Sequence, residues 1–327
     1  MFNLLAKARA LGASDVHLAA GRLPVMRLQG DLQPLGEEVM TQSELEKALK
    51  EVLGRKQLDE FLRTGEVDAA FFTNQGDRCR LNIYQQSGGV AVAVRLLTQQ
   101  IPSCEQLGLP LSVQQLTQLE SGLILVTGST GSGKSTTLAA LVQKINSTCA
   151  VHVLTLEDPV EYVYPPGKAL INQREVGKDT QSFAAGLRSA LRQDPDVILV
   201  GELRDAESVA MALTAAETGH LVLATLHTQD VTSCVTRILE LLPDRQREVR
   251  TQLAECLQAV VCQRLLPCVA ASGRVAAFEV LIATPALRNL IREGHTQQLY
   301  SYMQTGRQYG MITMEESLKE LKRRGVI

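Results

Sequence analysis

Residues 123–141 read LILVTGSTGSGKSTTLAAL, a short apolar run that passes into a glycine-rich loop and then into a helical pattern. No other stretch constrains the fold as tightly. Gly128, Gly133, Lys134 and Ser135 satisfy G-x-x-x-x-G-K-[ST], and the required context of a strand before and a helix after is present. The glycines let the backbone wrap an anion, so that successive N–H groups and the positive end of the helix dipole face a phosphate. On this reading Gly128, Ser129, Thr130, Gly131, Ser132, Gly133, Lys134, Ser135 and Thr136 form the cradle. Lys134 brings a mobile cation to the β- and γ-phosphates, and the Ser135 hydroxyl joins a Mg2+ shell. A loop of this kind implies ATP with Mg2+ as the bound pair.

The remaining composition narrows the class. A chain of 327 residues with 45% hydrophobic and 21% charged residues has room for two ordinary globular cores. The net charge is −2, the Lys and Arg residues are scattered, and Trp is absent, which argues against a nucleic-acid binder. No apolar run reaches the ~18 residues that span a bilayer, and residues 1–15 lack a secretory h-region, so no membrane insertion and a cytoplasmic location are expected. The seven cysteines form no C-x-x-C pair and read as buried thiols.

Along the chain, a helix at residues 2–11 precedes a strand near Val16 and a hairpin turning at Gly30-Asp31. A capping box at Ser43 and Glu46 opens one helix, a second covers residues 55–63, and strands follow at 68–73, 78–86 and 90–97. Residues 98–111 carry two prolines without a period and read as a linker between an N-terminal domain, 1–97, and a second domain, 112–327. There, strands at 123–126, 151–156, 197–200 and 221–225 alternate with helices, as in a largely parallel sheet covered on both faces. From Val231 the pattern turns helical, interrupted by one strand at 275–282.

Three segments place polar residues at strand ends, where open α/β sheets bind ligands. VLTLEDPVEY delivers Glu157, DPDVILVGELRD delivers Glu202, and TGHLVLATLHT has His220 at its start and His227 at its finish. Phosphoanhydride hydrolysis needs a metal, a group that orients water, and cations on the γ-phosphoryl oxygens. Glu202 suits the metal through a bound water, Glu157 suits the attacking water, and His227 suits the γ-phosphate. Arg78 and Arg80 share one strand face by period-two spacing, and Arg95 ends the next strand, so the three form a candidate set of arginine fingers.

These boxes, together with ASDVHL at 13–18, INQREVG at 171–177 and PALRNLIREG at 285–294, resemble the type IV pilus and type II secretion ATPase superfamily, and within it most closely the pilus retraction ATPases. The resemblance covers nearly the whole chain. It implies an α/β fold with a PAS-like N-terminal domain and a RecA-like P-loop ATPase domain that ends in helices. It also implies a homohexameric motor, peripheral to the inner membrane, that drives pilus retraction through a platform protein, with a paralogous ATPase as a further partner. Glu157 then matches the catalytic base, Glu202 the Walker B glutamate, His220 and His227 the His-box pair, and Arg78, Arg80 and Arg95 the strand arginines. Members often carry a further arginine in the turn that here reads Gln86-Ser-Gly-Gly89. Assembly and secretion relatives usually carry a four-cysteine zinc insert, whereas here the chain passes from Cys268 to Gly273 directly. An assembly or secretion ATPase is the alternative within the superfamily, and a weakly hydrolysing accessory subunit the alternative outside it.

Overall fold

The computed structural model describes residues 1–28, 30–73, 78–96, 100–269 and 273–327, which divide into two compact units, Met1–Gln100 and Ile101–Ile327. The Gly76-Asp77 turn signal that separates the strands read at 68–73 and 78–86, residue 97 of the strand read at 90–97, and residues 98–99 of the predicted linker lie outside the described residues.

In the first unit, α1 (Phe2–Ala10), α2 (Gln42–Val52) and α3 (Arg55–Thr64) accompany β1 (Asp15–Ala19), β2 (Val25–Leu28), β3 (Asp31–Pro34), β4 (Glu66–Phe72), β5 (Arg78–Gln86) and β6 (Gly89–Leu96). The strands form one antiparallel sheet in the order β3-β2-β1-β6-β5-β4. Strict alternation decides which face is covered: Cys79, Leu81 and Ile83 of β5 are buried, while Arg80, Asn82 and Tyr84 between them are exposed. Leu5 and Ala8 of α1, Leu45 and Leu49 of α2, and Phe61 of α3 close over the buried face in one core. The order β2-β1-β6-β5-β4 within this sheet is that of the expected PAS-like module. One local reading is corrected. The cap of α2 is Thr41, whose hydroxyl accepts from Glu44 N and whose own N–H is met by the Glu44 carboxylate, and not Ser43 with Glu46.

The second unit contains α4 (Leu111–Gln115), β7 (Gly122–Thr127), α5 (Lys134–Thr148), β8 (His152–Glu157), β9 (Leu170–Glu175), α6 (Phe183–Ala190), β10 (Val197–Val200), α7 (Ala206–Glu217) and β11 (Leu221–Leu226). It continues with α8 (Val231–Leu241), α9 (Gln246–Cys256), β12 (Leu257–Pro267), β13 (Arg274–Ile282), α10 (Pro285–Glu293), α11 (Leu299–Thr305) and α12 (Met314–Arg323). The sheet order is β13-β12-β7-β11-β10-β8-β9, parallel throughout except for β12 against β13. The loop strand β7 and the Walker B strand β10 are separated by β11, as in a RecA-like ATPase. Alternate residues of β7 feed opposite cores: Leu123 and Leu125 pack with α6, α7 and α9, and Ile124 and Val126 with α5. Every residue of β7, β10 and β11 is buried, so their near-continuous apolar runs reflect a sheet covered on both faces.

Two strands escaped the sequence reading. β12, LQAVVCQRLLP, falls in the region read as helical, because a run buried on both sides carries no alternation to separate strand from helix. β9 is a short edge strand of half-exposed polar residues. Cys104 and Leu109, within the segment read as linker, are buried against Leu138 and Leu141 of α5. Burial pushes the thiols of Cys234, Cys256 and Cys262 up to about 12, which makes them inert core residues at neutral pH. Among the described residues no helix is long and apolar enough to cross a membrane.

Candidate active site

Parallel strands bring the loops after β7, β8, β10 and β11 to one edge of the sheet, and there they enclose a cavity of about 440 Å³. The loop after β7 is a cradle that only glycine can build. Gly128 (φ +144°) and Gly133 (φ +91°) occupy backbone conformations closed to most side chains, and a Cβ on them would sit 2.4 Å from the Gln263 backbone oxygen and 2.8 Å from Gln263 Nε2. Ser129, Thr130 and Gly131 form the exposed crest, and Ser132 lies beneath with its Oγ buried and, among the described residues, unpartnered. Thr130, Gly131, Gly133, Lys134, Ser135 and Thr136 face the cavity, with α5 beginning at Lys134 so that its first N–H groups point at whatever fills the cradle. A cradle that a Cβ would fill, an orphaned hydroxyl and a helix N-terminus together fit a phosphate chain.

Lys134 is 8% exposed, and its Nζ donates to the carbonyls of Gly128 at 2.9 Å and Ser129 at 3.1 Å. Burial holds this ammonium below the usual lysine range, an effect opposed by the negative charge of Glu202. Glu202 follows β10. Its Oε1 meets His227 Nε2 at 3.0 Å, and its Oε2 accepts from Arg204 Nε at 2.7 Å. His227 Nδ1 lies 3.5 Å from Lys134 Nζ, so the tautomer with the proton on Nε2 accepts from the lysine and donates to the glutamate at once. The position of His227 is fixed from below, where Thr127 Oγ1 of β7 accepts from Thr228 N at 3.0 Å and lies 2.6 Å from Thr228 Oγ1.

Glu157, at the end of β8, turns Oε1 toward Thr155 Oγ1 at 2.6 Å and Gln173 Nε2 at 3.0 Å. Tyr162 from the loop beyond it reaches Thr136 Oγ1 with its hydroxyl at 2.8 Å. Lys134, Ser135, Thr136, Glu157, Glu202 and His227 therefore line one cavity, as their positions in the sequence implied. His220 does not join them. It opens β11 at the opposite edge of the sheet, with Nδ1 3.0 Å from the Ala215 carbonyl. Seven residues of extended strand separate two histidines by roughly 23 Å, so they cannot serve one phosphate in one chain. His220, read as a nucleotide-binding residue of the His-box pair, thus lies outside this cavity, whose lining includes His227.

The arginines belong to the first unit. Arg80 of β5 stands opposite Arg95 of β6, which stands opposite Asp15 of β1, itself opposite Arg27 of β2. Arg80 and Arg95 are exposed, Arg78 is half-buried, and Arg95 Nε pairs with Asp15 Oδ1 at 3.1 Å. Register thus adds Arg27 and Asp15 to a row that the sequence showed only in part. Gln263 and Gln173 were missed as well, since both stand on the two strands that went unread. Neither strand carries an alternation that would have marked it: INQRE is one apolar residue followed by four polar ones.

The fold and site are those of a two-unit P-loop ATPase of the RecA-like class. Residues 5–324 match the family model described as type II/IV secretion system protein, and the chain belongs to that family. It is 43% identical over 326 residues to the type IV pilus retraction ATPase PilT of Pseudomonas aeruginosa, covering 99% of this chain and 94% of that protein. It is 46% identical over 305 residues to a twitching motility protein of Neisseria gonorrhoeae, covering 93% of this chain and 82% of the relative. A crystal structure of the pilus retraction motor PilT with bound ADP superposes with a TM-score of 0.93 at 45% identity, covering 100% of this chain and 94% of that one.

Proposed function

We propose that this chain is an ATP-hydrolysing motor that drives type IV pilus retraction. The observation that carries the enzymatic part is the hydrogen-bonded set of Lys134, His227 and Glu202 on the rim of the glycine cradle. Lys134 would exchange the loop carbonyls for the β- and γ-phosphate oxygens of ATP, and the Ser135 hydroxyl and Glu202, the latter through water, would hold Mg2+. The ion, when bound, offsets the charge that develops on the phosphoryl oxygens. Glu157 orients the attacking water and takes its proton, while His227 holds the position between lysine and glutamate from which it contacts the γ-phosphate. Arg78, Arg80 and Arg95 supply transition-state cations from the N-terminal unit.

Retraction is favoured over assembly by the likeness to the Pseudomonas protein named for it. The sequence between β12 and β13 favours it too, since the six residues 268–273 hold one cysteine, Cys268, and are too few for a four-cysteine insert. The remaining parts of the proposal follow the family. They are a homohexamer, a hinge at residues 98–111 between domains 1–97 and 112–327, a cytoplasmic position at the inner membrane on a platform protein, and a paralogous ATPase as partner. Deleting the gene from its host and counting surface pili tests the direction of work. Pili that accumulate with loss of twitching support retraction, and bald cells overturn it.

A further inference from the structure

β8 and β9 pair in parallel with Thr155 opposite Gln173 and Glu157 opposite Glu175. Side chains of a strand alternate, so these four residues stand on one face of the strand pair. Of the β9 side chains, Ile171 packs on the apolar core, whereas Leu170 is exposed and the rest are polar. Gln173 and Glu175 reach the loop that carries Glu157, while Arg174 donates to the Asp179 carbonyl.

The Gln173 amide has two N–H bonds, and both are used. One reaches Glu157 Oε1 at 3.0 Å and the other the Tyr162 carbonyl at 2.8 Å. Rotating the amide by half a turn would set its oxygen against two acceptors, so its orientation is fixed by its partners. Two residues on, Glu175 Oε2 accepts from Val160 N at 3.1 Å. The segment after Glu157 is therefore held to β9 at Val160 and again at Tyr162, and the Tyr162 hydroxyl ties it to Thr136 on the first turn of α5 at 2.8 Å. Thr155 Oγ1 completes the hold on the same Glu157 oxygen at 2.6 Å.

We propose that Gln173 is a positioning residue for Glu157: its amide sets the carboxylate's rotamer and, through Tyr162, keeps that rotamer in register with the phosphate cradle. The proposal rests on the reading of Glu157 as the base. Ionisable groups around Glu157 are Glu175 on β9 and Asp158, Glu161, Tyr162, Tyr164, Glu202, Lys134, His227 and Arg274 in the cavity.

Steady-state ATP hydrolysis by the full chain with Mg2+, over a pH series, tests this in Gln173→Leu, Gln173→Glu and Glu157→Gln. Gln173→Leu should lower kcat by ~10–100-fold with KM within about twofold, because a misplaced group costs rate and not nucleotide binding. Gln173→Glu keeps the shape and sets a second carboxylate beside Glu157. Its acid limb of kcat/KM should move up by about one pH unit, a displacement that general loosening of the loop does not produce. If Gln173→Leu fails to fold, the isosteric Gln173→Glu carries the test. Loss of turnover in Glu157→Gln with wild-type kcat in Gln173→Leu, or with an unmoved acid limb in Gln173→Glu, overturns the positioning role alone. Retained turnover in Glu157→Gln overturns the base assignment and this proposal with it.

Discussion

The two units each carry cations proposed to act on phosphate, and they are held in opposite ways. Lys134 is 8% exposed and pinned on two backbone carbonyls, whereas Arg95 has 67% of its side chain exposed and pairs with Asp15. A buried, pre-positioned ammonium gives up little freedom when phosphate arrives, so it serves binding. A solvated arginine loses up to ~2 kcal/mol of rotamer entropy on ordering and repays it only where charge has built up. The difference separates a cation that recognises the ground state from cations suited to the transition state.

Lys134→Ala breaks the comparison at its strong end. Nucleotide affinity and turnover should both fall, turnover by at least ~10³-fold, read by equilibrium binding and phosphate release. Replacing Arg80 and Arg95 together by Ala should lower kcat by ~10²–10³-fold while affinity stays within about threefold; an equal loss of affinity would make them ground-state ligands like Lys134. Glu279, outside the cavity, shows what burial does to a charge of the opposite sign. It is 4% exposed on β13 and accepts from Val231 N, the start of α8, at 2.8 Å. Burial raises its pKa, partly offset by the Val231 N–H, so the folded state holds this proton more tightly than the unfolded chain. Stability from Glu279 is thus present below the unfolded value and lost as pH rises through the folded one. Glu279→Gln keeps the acceptor and removes the titration; thermal melts should show a gain at pH 8 and none at pH 4. The smallest effect belongs to Asp15→Ala, which releases Arg95 and should change stability by less than ~1 kcal/mol, since exposed pairs contribute little.

How legible each part was in the sequence follows from how local its cause is. The cradle is a strand, a loop and a helix inside residues 123–141, and every constraint on it is a neighbour's. Glu157, Glu202 and His227 were legible because each directly follows or ends an apolar run, and parallel pairing carries such ends to one edge. His220 and His227 flank a six-residue strand, and its length alone forbids a shared phosphate within the chain. At the start of α2 two S/T-x-x-E patterns overlap, Thr41 with Glu44 and Ser43 with Glu46. The extended backbone of Thr41 (ψ 154°) selects the first. Gln263 and Gln173 were out of reach for a different reason. Their roles depend on which strand lies beside β7 and which beside β8, and pairing of that range leaves no periodic trace in one sequence.

Glu202 is proposed to act on the metal and not on nucleotide retention. The most direct measurement is steady-state ATP hydrolysis by Glu202→Gln beside its affinity for ATP. Turnover reduced by at least ~10²-fold with affinity within about threefold is the predicted result. Turnover at the wild-type rate would contradict the assignment and, with it, the reading of the Lys134, His227 and Glu202 set as the centre of the motor.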